Sequence, residues 1–84
     1  MSKWDKLLYR IKNLSGDLRF DELKKVLVDY GYTMNAPKSG SSHYTFRKKG
    51  ACSITIPKHK IIKKVYVELV REIVEGEEKK NENG

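Results

Sequence analysis

Residues 43–57, HYTFRKKGACSITIP, decide the fold class of this chain. Polar and aromatic side chains alternate in HYTFRK, residues 43–48, and isoleucines alternate with smaller residues in CSITIP, residues 52–57. A period of two is typical of a strand with one buried face. KKG has the composition of a turn, so the two segments predict an antiparallel strand pair. The side chains expected to face the core are Tyr44, Phe46, Ile54 and Ile56; those expected on an open polar face are His43, Thr45, Arg47, Ser53 and Thr55.

Helical patterns flank the strand pair on both sides. Apolar residues recur at helical spacing in three segments, which predicts three helices with one core-facing stripe each. The first lies within residues 2–14 with Ser2 as its N-cap, and the second ends at Gly31, a C-cap residue type. The three stripes are Trp4, Leu7, Leu8 and Ile11; Phe20, Leu23, Val26, Leu27 and Tyr30; and Ile62, Val65, Tyr66, Leu69, Val70 and Ile73.

The element order gives the fold class. YTMN, residues 32–35, is a short candidate strand and APKSGSS, residues 36–42, a loop, so the order is helix, helix, three strands, helix. We therefore expect an α+β domain over residues 1–75, with a three-stranded antiparallel sheet covered on one face by helices. The segment GEEKKNENG, residues 76–84, has no large apolar residue, so we expect it to be a disordered tail.

Length and composition exclude several classes of protein. Eighty-four residues make one domain, and no apolar run approaches the roughly 20 residues of a membrane span, so no membrane partner is expected. The N-terminus has no apolar signal-peptide core, which favours a cytoplasmic location. Cys52 is the single cysteine, which excludes an intrachain disulfide, and its strand-like neighbours indicate a small buried hydrophobe.

The charge is large and unevenly distributed. The chain carries a formal net charge of +7, and no acidic residue lies between Asp29 and Glu68. A segment of one sign creates a positive potential that favours a polyanion, although a solvated lysine surface that aids solubility is the alternative. The cations of this segment include Lys38, Arg47, Lys58, Lys60, Lys63 and Lys64.

His43 is the candidate for proton transfer. It follows a loop of small residues, Gly40, Ser41 and Ser42, whose N–H and hydroxyl groups are potential phosphate ligands. An imidazole titrates near pH ~6.5, which suits acid–base chemistry at neutral pH. RNA supplies its own nucleophile, the 2′-hydroxyl, so cleavage requires only a proton acceptor and cations at the phosphate. These residues indicate RNA as the substrate.

Other residues near the predicted site keep more than one interpretation. His59, in PKHK, is compatible with a second proton-transfer group, a phosphate contact or an ordinary loop residue. Lys63 and Lys64 fall near the first turn of the last helix, where the helix dipole disfavours cations. They are either a seat for a phosphate, which would compensate for this, or simply a tolerated pair of exposed lysines. Two distant histidines and an acid-free middle segment give no zinc or carboxylate–metal pattern, and there is no nucleotide-binding motif, so no cofactor is expected.

Three short motifs follow one another between residues 20 and 74: a helix ending in Gly-aromatic, a Ser-His followed three residues later by an aromatic, and a strand ending in Pro-x-His. Their residues are Gly31 and Tyr32; Ser42, His43 and Phe46; and Pro57 and His59. In these motifs residues 20–74 resemble HicA-type toxins of bacterial and archaeal toxin–antitoxin systems. The chain departs from the family pattern in an additional serine before His43 and in its N-terminal helix.

The resemblance implies a fold, an activity and a partner. The fold is like the double-stranded RNA-binding domain (dsRBD), and the activity is mRNA cleavage by a metal-independent endoribonuclease, with His43 as the catalytic residue. The expected partner is a HicB-type antitoxin that covers this histidine. A non-catalytic RNA-binding module on the same fold is the alternative. The residues expected to bind RNA are Lys38, Gly40, Ser41, Ser42, Arg47, Lys58, His59, Lys60, Lys63 and Lys64.

Overall fold

The strand pair predicted from residues 43–57 is present in the computed structural model, which describes residues 2–36 and 42–82. Strand β2 spans His43–Arg47 and strand β3 spans Ile54–Pro57, and they pair antiparallel. A third strand, β1, spans Thr33–Asn35 and pairs antiparallel with β2, so the order is β1-β2-β3. Between β2 and β3, Gly50 has a φ of +82°, as the predicted turn requires.

Three helices complete the described part of the chain. Helix α1 spans Lys3–Lys12, α2 spans Phe20–Asp29 and α3 spans Lys64–Glu82. The predicted caps are confirmed. The Ser2 hydroxyl accepts a hydrogen bond from the Asp5 amide at 3.1 Å, and Gly31 ends α2 with a φ of +99°. The chain is therefore a small α+β domain.

The core lies between the helices and one face of the sheet. Met34, Phe46 and Ile54 share this face because they lie opposite one another in the strand register. Phe46 is fully buried, and the Phe20 ring of α2 lies 6.1 Å from it, centroid to centroid. The buried helix residues are Leu7, Leu8 and Ile11 of α1, Phe20, Leu23, Val26 and Leu27 of α2, and Val67, Val70 and Val74 of α3.

Helix α3 presents a different face to the core from the one predicted. Val65 and Leu69 are 56% and 38% exposed, whereas Val67 and Val74 are fully buried. Residues 65–74 are so rich in apolar side chains that two helical stripes are available, and the structure uses the one through positions 67, 70 and 74. In the described residues no helix, α3 included, is long and apolar enough to cross a membrane.

The prediction of a disordered tail from Gly76 is wrong as far as Glu82, because α3 continues to that residue. Two ion pairs stabilise the extension: Glu77 with Lys48 at 2.8 Å and Glu78 with Lys12 at 2.7 Å. A glycine in a helix interior costs about 1 kcal/mol relative to alanine. Long-range contacts of this kind oppose that cost, and sequence composition does not reveal them.

Cys52 is exposed, whereas the sequence predicts that it is buried. Strand β3 begins at Ile54, so Cys52 lies between the turn and the strand, and it is exposed. The alternating pattern of CSITIP therefore starts two residues before the strand itself, a boundary error typical of short strands.

Replacing Phe46 by alanine should remove about 3–5 kcal/mol from the free energy of unfolding, because it leaves a cavity between α2 and the sheet. Tyr9→Ala is the matched control, since Tyr9 is 61% exposed and its loss should cost less than about 1 kcal/mol. Urea denaturation followed by circular dichroism measures both values. Equal losses for the two variants would contradict the described core.

Candidate nucleic-acid interface

His43 lies at the start of β2, directly opposite Pro57 at the end of β3. Its side chain is exposed, whereas Tyr44 is half-buried and Phe46 is fully buried. Because successive side chains of a strand point to opposite faces, His43 belongs to the sheet face that the helices leave uncovered. We call this the open face; its members are Thr33, Asn35, His43, Thr45, Arg47 and Thr55. The predicted placement of His43 on a polar face is confirmed.

Arg47 shares the open face with His43 but lies at the other end of β2, opposite Thr33. Four residues of strand separate the two Cα atoms by about 13 Å. The sequence predicts that Arg47 helps to hold the phosphate next to His43. The two side chains therefore lie at opposite ends of β2 on the open face, and both would have to extend toward a phosphate placed between them.

Lys58 lies close to His43 but on the other side of the sheet. Its N–H donates a hydrogen bond to the Ser42 carbonyl oxygen at 2.6 Å, which continues the β2–β3 pairing by one residue. Its ammonium nitrogen lies 5.8 Å from the centroid of the Tyr44 ring, on the face that packs against the helices. Lys58 therefore stands just across the sheet end from the imidazole.

A cleft of about 260 Å³ opens beside Lys58, between the start of α2 and the segment that follows β3. We call it the basic cleft; its lining residues are Arg19, Phe20, Asp21, Lys58, His59 and Lys60. The sequence predicts Lys58, His59 and Lys60 as RNA ligands, and the structure places these three together.

Backbone hydrogen bonds fix the two walls of the basic cleft. The His59 N–H donates to the Pro57 carbonyl oxygen at 2.9 Å, a tight turn that takes the chain off the sheet. The Ile62 N–H donates to the Leu18 carbonyl oxygen at 2.9 Å, which joins this segment to the residues before α2. On the α2 side, the Phe20 ring packs 5.2 Å from the Tyr44 ring. The cleft is therefore anchored to the core on both sides.

The cations of the basic cleft are not paired with any acidic side chain that the structure describes. Among the described residues, Arg19, Lys58 and Lys60 take part in none of the ion pairs. Exposed cations without partners create a positive potential, and phosphate oxygens are the ligands that match it. The Asp21 carboxylate at the same cleft reduces this potential.

Arg10, a nearby cation, is neutralised. Its guanidinium pairs with Glu22 at 2.7 Å and Asp17 at 3.1 Å, and the Glu22 bond is the main reason why the pKa of Arg10 is raised. The Ser15 hydroxyl donates to Asp17, and this bond, followed by the Arg10 contact, lowers the pKa of the Asp17 carboxyl. Arg10 is therefore occupied by acids, in contrast to Arg19.

Lys63 and Lys64 extend the cationic surface along the chain. Both are exposed, and the Lys63 carbonyl oxygen accepts from the Tyr66 amide at 3.0 Å and the Val67 amide at 3.3 Å. Lys63 thus occupies the N-cap position and Lys64 the first turn of α3, where no acidic residue is present. Their predicted location at the start of the helix is confirmed. Of the other predicted RNA ligands, Ser42 is exposed, and Lys38, Gly40 and Ser41 lie outside the described residues.

Sequence reasoning missed three residues of the basic cleft: Arg19, Phe20 and Asp21. Asp21 lies outside the acid-free segment and far in sequence from Lys58, and only the fold brings the two residues to the same cleft. The signal used for Lys63 and Lys64, a cation at the start of a helix, is also present at Arg19. If the search for a cation at a helix start had included α2 as well as α3, it would have indicated Arg19.

Scans against protein-family models, curated proteins and solved structures find no match to this chain. The resemblance to HicA-type toxins therefore rests on the motif residues named above.

Asp21→Asn should strengthen the binding of single-stranded RNA about twofold to threefold at low salt, because it removes a repelling charge about 6 Å from a bound phosphate, worth about 0.7 kcal/mol in water. The gain should shrink at higher salt as the Debye length falls. Asp29→Asn, on the same helix but remote from the basic cleft, is the control. Fluorescence anisotropy measures both affinities. An equal gain in the control would assign the effect to net charge alone.

Proposed function

We propose that this chain is the toxin of a type II toxin–antitoxin system, a metal-independent endoribonuclease that cleaves mRNA on a dsRBD-like fold. One observation supports this most: an exposed imidazole, His43, lies at the same end of the sheet as a cleft lined by cations that form no ion pair with the acids the structure describes. The order of the strands and the covering of one sheet face by helices are compatible with the dsRBD-like class. The motif residues shared with HicA-type toxins lie at this end of the sheet, apart from Gly31, Tyr32 and Phe46.

The proposed reaction needs one proton acceptor and positive charge. His43 accepts the proton of a ribose 2′-hydroxyl, and the 2′-oxygen attacks the adjacent phosphorus. The bond between phosphorus and the 5′-oxygen breaks, and the departing oxygen takes a proton from water or from a second acid. The products are an RNA end with a 2′,3′-cyclic phosphate and an RNA end with a 5′-hydroxyl. The positive potential of the basic cleft, across the end of the sheet, stabilises the charge that develops on the phosphate oxygens.

His59 is assigned to binding rather than to this proton transfer. It lines the basic cleft together with Lys58 and Lys60, on the helix side of the sheet, whereas His43 belongs to the open face. In the proposal, a ring N–H of His59 donates a hydrogen bond to a phosphate of the bound strand. The two histidines thus have different roles in the proposal.

His43→Ala should reduce the cleavage rate of single-stranded RNA by about 10²–10⁴-fold, because a general acid or base contributes that much. RNA affinity should stay within about twofold. His59→Ala is the matched variant: we expect a higher KM and a kcat within about threefold of the parent, because a binding contact is lost.

Gel assays of labelled RNA with and without EDTA measure these rates. Full activity of His43→Ala, or activity abolished by EDTA, would contradict the proposal. A drop in kcat for His59→Ala as large as that of His43→Ala would make His59 a second proton-transfer group.

The antitoxin is the proposed protein partner. A HicB-type protein with an acidic surface would complement the cations around His43 and cover the imidazole, which stops the reaction. The exposed position of His43 leaves it accessible to such a partner.

A non-catalytic RNA-binding module is the second candidate function. The cations of the basic cleft and the lysines at the start of α3 favour it, since phosphate contacts alone account for them. In this case RNA binds with similar affinity to the parent and to His43→Ala, and no cleavage is observed for either.

A further inference from the structure

We infer that a single strand of RNA bends around the end of the sheet, from His43 on the open face into the basic cleft on the helix side, and that Arg19 is a positioning residue for one of its phosphates. This rests on the proposed function and extends it to the path of the strand. It also adds a ligand at the N-cap of α2, a part of the chain that supplies none of the predicted site residues.

The distances across the sheet end are short. His43 lies opposite Pro57, and a cross-strand pair of this kind has its Cα atoms about 4.5–5.5 Å apart. Lys58 is the next residue, about 3.8 Å along the chain. The Cα atoms of His43 and Lys58, the first cation of the basic cleft, therefore lie within about 7 Å of each other. A strand of a few nucleotides, the usual length of a single-strand site, spans both.

The two groups nevertheless face different sides of the sheet. Lys58 lies over the Tyr44 ring, and Tyr44 packs against Phe20 of α2. A strand that contacts His43 and also enters the basic cleft must change direction at the strand ends. Single-stranded RNA makes such a bend readily, whereas a double helix is stiff over this length. The geometry thus selects a single strand over a duplex.

Arg19 completes the far wall of the basic cleft. It is exposed, immediately precedes α2 and lines the cleft opposite the segment 58–60. Its backbone N–H donates to the Glu22 carboxylate at 3.0 Å, while its guanidinium joins none of the ion pairs among the described residues. A guanidinium with its donors available binds phosphate in a bidentate manner. Three cations from two segments then surround one phosphate.

The test compares Arg19→Gln with Lys25→Gln, each made in a His43→Ala background so that RNA is not cut. Lys25 is an exposed cation of the same helix that does not line the basic cleft. The probe is a single-stranded RNA of about 12 nucleotides, and anisotropy is measured over a range of salt concentrations. Arg19→Gln should weaken binding about fivefold to tenfold and reduce the log–log salt slope by about 0.7, the value for one single-strand phosphate contact. Lys25→Gln should leave the slope unchanged.

Two further readouts exclude a merely structural role. Arg19→Lys should restore the salt slope but only part of the affinity, because it keeps the charge and loses the bidentate geometry. With His43 intact, Arg19→Gln should raise KM and leave kcat within about twofold. The same RNA sequence as a duplex should bind at least tenfold more weakly than the single strand.

The inference is overturned if Arg19→Gln and Lys25→Gln have the same salt slope, if the duplex binds as tightly as the single strand, or if no single strand binds. These outcomes are separate from those that decide catalysis. An unchanged slope with His43-dependent cleavage refutes the path and keeps the ribonuclease. A reduced slope without any cleavage keeps the path and refutes the ribonuclease.

Discussion

The pairing of β2 with β3 is the constraint on which the site depends. Its register places His43 opposite Pro57 and Phe46 opposite Ile54. A shift of one residue would turn Phe46 to solvent and His43 into the core, because side chains alternate between the two faces. Because Phe46 is buried, His43, three residues earlier in the same strand, is exposed. The turn at Gly50 and the bond between Ser42 and Lys58 hold the two ends of the pair.

The same pairing explains why the proposed chemistry is divided between two sides of the sheet. The proposed proton acceptor, His43, lies on the open face, and the cations proposed to bind a flanking phosphate line the basic cleft on the helix side. A ribonuclease that uses the substrate's own 2′-hydroxyl needs little else, because positioning and charge supply the remaining stabilisation. Other cations of the domain form ion pairs with acidic side chains, namely Arg10, Lys12 and Lys48.

Much of the fold follows from local patterns. The alternation in residues 43–48 predicts the face of His43, and the caps at Ser2 and Gly31 follow from residue type. The sequence fails where the choice depends on tertiary contacts. Val65 and Val67 are equally apolar, and only packing selects Val67 for the core. The helical continuation past Gly76 forms ion pairs with Lys12 and Lys48, which lie far away in the chain.

The site was predicted only in part, for the same reason. Lys58, His59 and Lys60 are adjacent in sequence, so a local pattern finds them. Arg19 and Asp21 reach the same cleft through the packing of α2 on the sheet, which no spacing rule encodes. Arg47 shows what a local pattern leaves open, since it shares the open face with His43 but lies at the other end of β2.

A single 2′-deoxy substitution at the scissile nucleotide of an RNA substrate tests the central claim most directly. The account predicts that this bond is no longer cut while binding is unchanged, and that the all-ribose substrate yields 2′,3′-cyclic phosphate and 5′-hydroxyl ends. Cleavage of the deoxy-substituted bond at the normal rate would contradict proton transfer from the 2′-hydroxyl to His43.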